Sequence, residues 1–470
     1  MPRPAGAEPA PGSARVLVRA RWVARGGAWL AWLAWLGAGA PGCAGKAPPG
    51  AGAAAGSAEP GATTTARAPR APRRPPVVYL PAGPGAAVYE APPLPAAGAR
   101  AKLPAPAAAA TAGLGELELG LLKVVNQVAV EEGVTPPIPD PRLHAVAADL
   151  ARNAHGMRPP PSDVVRFLAN HQGVIEPDPA IYTLTGPAYI PGVYEQYRRS
   201  LGRVLKRGEW NRIGVASLRN KDDVTVVVTL WEQHVELRPL PRQLPSDGHA
   251  QLVLRVVGPY KQPQIVVTLP GGYVRALPTT SKDGLLRTEL RCGSGDGRYQ
   301  VEVLATGASG PLVLGNFPVF CGVHAPNDIS AYDEDDADES DPADAEQELL
   351  ALINQARLAA GLGALVWDNR LAAIARAHSR DMVSGGFVAH VSPTTGDAAQ
   401  RVARAGLAFP LLVENVGQEG GVQQAHRGFM SSPGHRANVV NPRLTHVGIG
   451  VVLKRTGGAP FFVTELFAAE

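Results

Sequence analysis

Residues 429 to 452 read FMSSPGHRANVVNPRLTHVGIGVV, a loop rich in Ser, Pro, Gly and Asn that leads into an apolar strand. A second apolar run, Phe461 to Phe467, follows after a Gly-Gly turn, so two strands are expected at the C-terminus. Two helices are expected upstream. The first ends near Gly361, a suitable C-terminal cap, and the second runs from about Asn369 to Val383. Helices that flank a small antiparallel sheet make an α+β fold.

The same pattern occurs earlier in the chain. At a constant offset of 228, residues 126 to 147 match residues 354 to 375, including Asp140 with Asp368 and Arg142 with Arg370. Further on, Ile213-Gly214-Val215 matches Val447-Gly448-Ile449, and Val228-Thr229 matches Val463-Thr464. We predict two copies of one fold, residues 114–240 and 345–470. The alternative is chance matching between Ala-rich helices.

Between the copies, residues 248–322 contain five short runs rich in β-branched residues, separated by turns such as Pro270-Gly271-Gly272. This pattern predicts a small all-β sandwich. Its two cysteines, Cys292 and Cys321, are expected to form a disulfide in an exported chain, closing a loop of about 30 residues that contributes about 3 to 4 kcal/mol. Two buried free thiols are the alternative.

Charge and composition mark the segments that join these domains. Residues 44–113 are mostly Ala, Pro and Gly and are expected to be a disordered spacer. Residues 327–346 carry ten acids and no base, which indicates an acidic linker rather than a calcium loop. Residues 1–102 carry 12 bases and three acids, a net charge of +9, so the basicity of the chain comes mainly from this segment, and the overall net charge of +4 is not typical of a nucleic-acid binder.

Residues 1–43 have the features of a bacterial export signal. Before the apolar run from Ala28 to Ala40 lie Arg15, Arg19, Arg21 and Arg25, and the run itself is too short to span a bilayer but suits a signal peptide. Either the chain is cleaved after Ala40 and secreted, or Cys43 is lipidated. In the second case a lipid anchors the protein to a membrane. The expected location is therefore the outer surface, the periplasmic face of a membrane, or the extracellular space.

The C-terminal copy resembles the bacterial branch of the CAP superfamily, the cysteine-rich secretory protein, antigen 5 and pathogenesis-related 1 group, also called the SCP domain. The resemblance covers about 125 residues. It is carried, in order, by five strings: NQARLAAGLGALVWDNRLAAIARAHSRDM, FVAHVSP, ENVG, the stretch quoted above, and FFVTELF. It implies an α-β-α sandwich whose central cleft holds histidines and a glutamate able to bind a divalent metal.

Transferred by position, the implied metal ligands are His390, Glu414 and His435. Two imidazoles and a carboxylate are also a donor set that suits zinc with one open position. Eukaryotic members carry a second glutamate one helix before the last histidine, whereas residues 429–432 here contain no acid. We expect Ser392 and Asn415 to orient the cleft groups.

Other polar side chains of this copy are expected to lie outside the cleft. His378 shares a helical face with apolar residues and should be a hydrogen-bonded core histidine. His426 and His446 are expected to have no site role, and Glu419 and Glu465 to be surface or rim residues. The first copy contains no counterpart of the cleft strings, and its His155 and His171 occupy unmatched positions. We therefore expect it to keep the scaffold without the site.

Two functions of different classes follow. The favoured one is a binding module whose cleft engages an extracellular lipid, glycan or peptide. The alternative is a metal-dependent hydrolase in which His390, Glu414 and His435 would be catalytic. A third reading, nucleophilic catalysis by Ser431 or Ser432 with His435, lacks any indication of an oxyanion hole. The sequence does not specify the oligomeric state.

Overall fold

The computed structural model describes residues 19–21, 77–95, 108–153, 161–177, 179–187, 190–206, 208–221, 223–331, 341–454 and 461–470. Cys43, His155, the Gly-Gly turn near the C-terminus and nearly all of the predicted signal peptide lie outside these ranges. Within them, no helix combines the length and the apolar composition that crossing a membrane requires. The described residues form two α+β domains with a β-sandwich between them along the chain.

In the described part of the chain, three short strands precede the first α-helix: β1 Arg19–Arg21, β2 Val77–Tyr79 and β3 Val88–Ala91. The prediction of a disordered spacer is therefore wrong for residues 77–95. Tyr79, Tyr89 and Ala91 are at most 2% exposed, and the two tyrosines supply the apolar area that the surrounding Ala, Pro and Gly residues lack. A composition averaged over the whole segment conceals these two short runs.

The first α+β domain contains four α-helices and a five-stranded sheet. Its helices are α1 Glu116–Glu131, α2 Pro141–Arg152, α3 Ser162–His171 and α4 Ile190–Leu205. Its strands are β4 Ile138–Pro139, β5 Ala180–Pro187, β6 Arg212–Asn220 and β7 Asp223–Trp231, in the order β1-β5-β7-β6-β4. One face of the sheet packs against α1 and α4, and the other against α2 and α3.

The β-sandwich has two five-stranded sheets, ordered β13-β14-β10-β8-β3 and β12-β11-β15-β16-β9. It extends further towards the N-terminus than predicted, because β8 and the spacer strand β3 complete the first sheet. Cys292 and Cys321 form the predicted disulfide and are buried in the apolar core. The strands are β8 Val235–Pro241, β9 Gln243–Leu244, β10 His249–Val256, β11 Lys261–Thr268, β12 Val274–Ala276, β13 Thr280–Lys282, β14 Leu285–Arg291, β15 Gly297–Gly307 and β16 Gly310–Cys321.

The predicted acidic linker is shorter than expected. At its start, β17 Ile329–Ala331 pairs antiparallel with β2, and both strands pack on the first domain through Tyr79 and Ala331. At its end, the first helix of the C-terminal domain begins at Pro342, with Asp341 as its N-cap. Residues 332–340 lie outside the described residues.

The C-terminal domain has five α-helices and a four-stranded sheet. The helices are α5 Pro342–Ala359, α6 Asn369–Gly385, α7 Ala398–Arg404, α8 Val422–Ser431 and α9 Pro433–Val439. The strands are β18 Val366–Trp367, β19 Leu411–Glu419, β20 His446–Leu453 and β21 Phe461–Ala469, in the order β18-β20-β21-β19. Helices α5 and α8 cover one face, and α6 and α7 the other, which makes the predicted α-β-α sandwich.

The two α+β domains share one topology, as the repeat predicted. Apart from the edge strand β1, the order β5-β7-β6-β4 of the first domain is the order β19-β21-β20-β18 of the second. Asp140 and Asp368 each cap a helix by accepting from the backbone N–H of Arg142 and Arg370, at 2.9 and 2.7 Å. Each arginine then turns its guanidinium back onto the capping aspartate.

The strand register corrects one of the sequence matches. Ile213 pairs with Leu230 in the first domain, and its counterpart Val447 pairs with Phe467 in the second. Leu230 therefore corresponds to Phe467, so Val228 lies level with Glu465 and not with Val463 as the sequence match suggested. The match was displaced by two residues, which preserves the side-chain face and so escapes detection by pattern.

A glycine in each copy lets a helix approach a strand closely. A Cβ atom on Gly214 would lie 2.1 Å from the carbonyl oxygen of Leu143 in α2, and one on Gly448 would lie 2.1 Å from the backbone nitrogen of Ala372 in α6. Neither contact can be relieved by a side-chain rotation, because the atoms met belong to the backbone. Both glycines are therefore required for the helix to pack on the central strand.

We expect Gly448→Ala and Gly214→Ala each to lower the free energy of unfolding by about 1–3 kcal/mol or more, since the added methyl group must push a helix away from the sheet. Urea unfolding followed by circular dichroism measures this. Gly363→Ala is the matched control, since nothing lies within 4 Å of its Cβ position. If Gly448→Ala unfolds at the same urea concentration as Gly363→Ala, the close packing of α6 on β20 is wrong.

Candidate functional site

The three predicted cleft residues come from three separate elements. His390 lies in the loop after α6, Glu414 in β19 and His435 in the first turn of α9. Helix α9 exists as a separate helix because Ser432 is extended and Pro433 begins the next turn. All three side chains are buried, with exposed fractions of 6%, 3% and 8%.

Glu414 lies between a histidine and an arginine. The distance from its Oε1 to Nδ1 of His390 is 2.6 Å, and its Oε2 accepts from the guanidinium of Arg401 in α7. Arg401 also donates to the backbone carbonyl of His390 at 3.0 Å. The arginine therefore holds both the carboxylate and the loop that carries the histidine. Sequence reasoning missed Arg401, because nothing distinguishes it from Arg404 in the same helix until the fold shows which one is buried.

This arrangement determines the charge of Glu414. Burial disfavours the ionised carboxylate, but the charge of Arg401 and the hydrogen bond from His390 outweigh it and lower the pKa of Glu414 to about 2. The carboxylate is therefore ionised at neutral pH and is a weak base. Because Glu414 orients the imidazole of His390 through Nδ1, the other ring nitrogen points away from the carboxylate.

His435 has a different environment from His390. Its ring packs against Phe429, with the ring centroids 4.7 Å apart. Burial, together with the nearby His390 and Arg166, holds the pKa of His435 well below its ordinary value, so this imidazole is neutral at physiological pH. Arg166 belongs to α3 of the first domain, so the electrostatics of this histidine depend on a neighbouring domain.

A buried polar network lies next to His435. Asn415 donates to the backbone carbonyl of His435 at 3.4 Å and to Glu465 at 2.8 Å, and accepts from Asn438 at 2.8 Å. Glu465 is completely buried, so its expected place on the surface or rim is wrong. Burial raises the pKa of Glu465 to about 8, against the lowering effect of the hydrogen bond from Asn415. A carboxyl group in this environment is protonated at neutral pH.

The remaining predicted residues lie outside this cluster. Ser392 donates to Asp381 and shapes the turn around Thr394, and no bond of its hydroxyl runs to the three cleft residues. His378 is a buried core histidine, as expected, with its Nε2 2.9 Å from the carbonyl oxygen of Ala389. His446 lies 2.9 Å from the hydroxyl of Thr445 and 3.6 Å from Glu470. Glu419 accepts from Ser162 of the first domain at 2.7 Å, and burial, together with the charges of Arg427 and Arg436, lowers the pKa of His426 to about 4.

The predicted three-ligand metal centre does not fit this geometry. Both oxygens of Glu414 are engaged by His390 and Arg401, and a cation bound there would face the positive charge of the guanidinium. Across the described ranges, no group of three or more His, Cys, Asp or Glu side chains is placed to hold one metal ion. We therefore assign no functional step to a metal.

The first domain has apolar or aromatic side chains where the second has its polar cluster. Counting along the paired strands from Leu230 and Phe467 identifies the residues of the first domain that correspond to Glu414, Asn415 and Glu465. They are Ile181, Tyr182 and Val228. His171 is also elsewhere, with its Nε2 2.9 Å from the carbonyl oxygen of Gly83. The first copy retains the scaffold without the cleft chemistry.

We expect Arg401→Ala to lower the free energy of unfolding by about 3–5 kcal/mol, because it removes the cation that neutralises a buried carboxylate. Adding Glu414→Gln should recover part of this loss, since a neutral amide needs no counter-charge. Arg404→Ala, at an exposed position in the same helix, is the control. Denaturant unfolding of the four proteins measures the effect, and equal midpoints for Arg401→Ala and Arg404→Ala would contradict it.

Glu465 should make the protein less stable as the pH rises. Between about pH 4.5 and 8 the folded state keeps a proton that the unfolded chain releases, so stability is lost across this window. We expect Glu465→Gln to reduce this loss and to raise the thermal midpoint at pH 8 more than at pH 5. Thermal unfolding at both pH values measures it, with the exposed Glu470→Gln as control. An unchanged pH dependence in Glu465→Gln would show that Glu465 titrates normally.

Comparison with known families assigns the C-terminal domain. The model of the cysteine-rich secretory protein family, CAP, matches residues 350–467. An uncharacterized Bacillus subtilis protein, YkwD, is 32% identical over 129 residues, which are 27% of this chain and 45% of YkwD. The uncharacterized membrane protein YlbC of the same species is 34% identical over 109 residues, 23% of this chain and 31% of YlbC. The chain thus spans less than half the length of each of these relatives.

Similar solved structures include an extracellular protein with an SCP domain from Bacillus anthracis, 18% identical, covering 62% of this chain and 78% of that one with a TM-score of 0.26. A cysteine-rich secretory protein from Staphylococcus aureus is 13% identical and covers 57% and 92%, with a TM-score of 0.23. An outer surface protein from Borrelia burgdorferi is 17% identical and covers 28% and 96%, with a TM-score of 0.26. The family match identifies residues 350–467 of this chain as a CAP domain.

Proposed function

We propose that the chain is an exported protein, anchored at a cell surface, whose CAP domain binds a polar ligand outside the cell through the cleft around His390 and His435. Two features support export. The charged and apolar segments of residues 1–43 are ordered as in a signal peptide. The buried Cys292–Cys321 disulfide is typical of proteins that fold in an oxidising compartment. Cys43, after the apolar run, is the proposed site of lipid attachment.

The state of Glu414 is the observation that favours binding over hydrolysis. Hydrolysis at this cleft requires a group that takes a proton from water. Glu414 is engaged by His390 and Arg401, and its pKa of about 2 makes it a weak base at neutral pH. What the cleft offers instead is two imidazoles in fixed orientations, which suit hydrogen bonding to a polar group of a glycan or peptide more than contact with a lipid chain.

Hydrolysis is the second candidate, and one observation favours it. A histidine held by a carboxylate through Nδ1 has the orientation used by general bases in hydrolases, and His390 has this orientation relative to Glu414. In that case His390 would be the proton acceptor and Glu414 the residue that positions it. In this candidate no step is assigned to a metal ion.

Binding and turnover of the full chain separate the two candidates. Wild type, His390→Ala and His435→Ala are tested against glycan and peptide arrays, lipid vesicles, ester and peptide substrates, and zinc by calorimetry. His249→Ala, at an exposed histidine of the sandwich, is the control. We expect binding of a glycan or peptide that falls at least about tenfold in both cleft variants, with no turnover, as for loss of a central contact.

Other outcomes decide against the proposal. Turnover that disappears in His390→Ala would replace binding with hydrolysis. Binding that both cleft variants retain at wild-type strength would place the ligand elsewhere on the protein. Stoichiometric zinc binding lost in both variants would show that the two imidazoles hold a metal without Glu414.

A further inference from the structure

Both cleft histidines lie in segments that contact other domains. The sandwich covers His390 with the turn between β15 and β16. The carbonyl oxygen of Ser309 lies 3.4 Å from the backbone nitrogen of Val391. A Cβ atom on Gly310 would lie 3.2 Å from Cγ2 of Val391 and 3.7 Å from Cβ of His390. The tip of this hairpin is therefore in direct contact with the loop that carries His390.

The sandwich also holds the turn that leads to His435. Glu302 in β15 is fully buried and accepts from the hydroxyl of Ser432 at 2.6 Å and from the backbone N–H of Gly434 at 3.0 Å. Asn316 of the sandwich donates to it at 3.2 Å. Two of these three donors come from the CAP domain. A buried carboxylate requires such donors, and separation of the CAP domain would remove two of them. Glu302 therefore stabilises the docked position of the CAP domain.

Helix α3 of the first domain also contacts the CAP domain. Asp163 forms an ion pair with Arg427 at 2.9 Å, Arg166 donates to Ser431 at 2.6 Å, and Ser162 donates to Glu419 at 2.7 Å. After His435 along the chain, Arg436 donates to the carbonyl oxygen of Gly272 in the sandwich at 2.9 Å. Segments of both other domains thus contact the helix pair α8 and α9.

The character of these contacts indicates which part of the protein can move. Ile175 of the first domain belongs to the apolar core of the sandwich, so these two domains share buried apolar area. Among the described residues, no apolar core cluster joins the CAP domain to either of them. The CAP domain docks through the hydrogen bonds and ion pair described above, and polar interfaces between domains separate more readily than apolar ones.

We propose that the first domain and the sandwich together form a built-in cover over the cleft of the CAP domain, and that a ligand reaches His390 and His435 only when the CAP domain separates from this cover. Ala331 is held against the first domain by β17, and α5 begins at Pro342. Ten residues of the sequence join these two points, so a separated CAP domain stays covalently attached to the rest of the chain.

This inference concerns access to the cleft of the proposed function, but it is tested without a ligand. Histidine acylation by diethyl pyrocarbonate, mapped by mass spectrometry, reports which imidazoles of the full chain are accessible. His249, with a side chain 62% exposed, is the internal reference. In wild type we expect His390 and His435 to react at least about tenfold more slowly than His249, since both are closed off from solvent. Acylation rates equal to that of His249 would overturn the proposed cover.

Glu302→Lys should separate the CAP domain from the cover, because it places a cation against the backbone N–H of Gly434 and removes the acceptor for Ser432. We expect acylation of both cleft histidines to rise at least about fivefold, as a buried charge contact is lost. Glu236→Lys makes the same charge change on a sandwich strand whose partner is Arg255, away from the CAP domain, and should change neither rate. Circular dichroism confirms that both variants are folded.

The ion pair offers a second test that does not depend on Glu302. Asp163→Lys should raise the acylation rates, and adding Arg427→Asp should restore protection by re-forming the pair with reversed charges. If Glu302→Lys and Asp163→Lys both fold and both leave His390 and His435 protected, the CAP domain itself buries the two histidines and the proposed cover is wrong. Faster acylation of both histidines in these variants, without binding of any ligand, would support the cover and count against the proposed function instead.

Discussion

A buried negative charge organises the C-terminal domain. Glu414 has an exposed fraction of 3% and cannot remain ionised there without donors, so Arg401 and His390 must both reach it. This requirement brings α7 against β19 and sets the position of the loop after α6. The orientation of the His390 ring follows from it. The cleft is thus shaped by the need to compensate one carboxylate as much as by apolar packing.

The first domain shows what the same scaffold looks like without that charge. Both copies keep the capping aspartate, the arginine that returns to it, and the glycine that admits a helix to the central strand. These features serve the fold. Where the second copy has Glu414, the first has Ile181, an apolar side chain buried in the core. Without this charge the first domain lacks the cleft chemistry but keeps the topology. It also contributes Arg166 to the surroundings of His435 in the second domain.

Features marked by short patterns, by cysteine content or by an internal repeat could be predicted. Helices α5 and α6, the two C-terminal strands, the disulfide between Cys292 and Cys321, and the shared topology of the two copies were all expected and are present. Features that depend on partners far along the chain could not. Glu465 was expected at the surface or rim, because the alternation of side chains along a strand does not show which helices cover the sheet. The ordered strands within the spacer were hidden by the Ala, Pro and Gly that surround them.

By itself, the sequence determined the local elements, because capping residues and hydrophobic spacing act over a few residues, and its resemblance to the CAP superfamily implied the two histidines and the glutamate of the cleft. Only the tertiary structure decided how these groups are used. It pairs Glu414 with Arg401, buries Glu465 in a protonated state, and brings Glu302 from 132 residues away to the turn before His435. The physical reason is that the charge state and accessibility of a buried group depend on everything packed around it, and that environment comes from three domains at once.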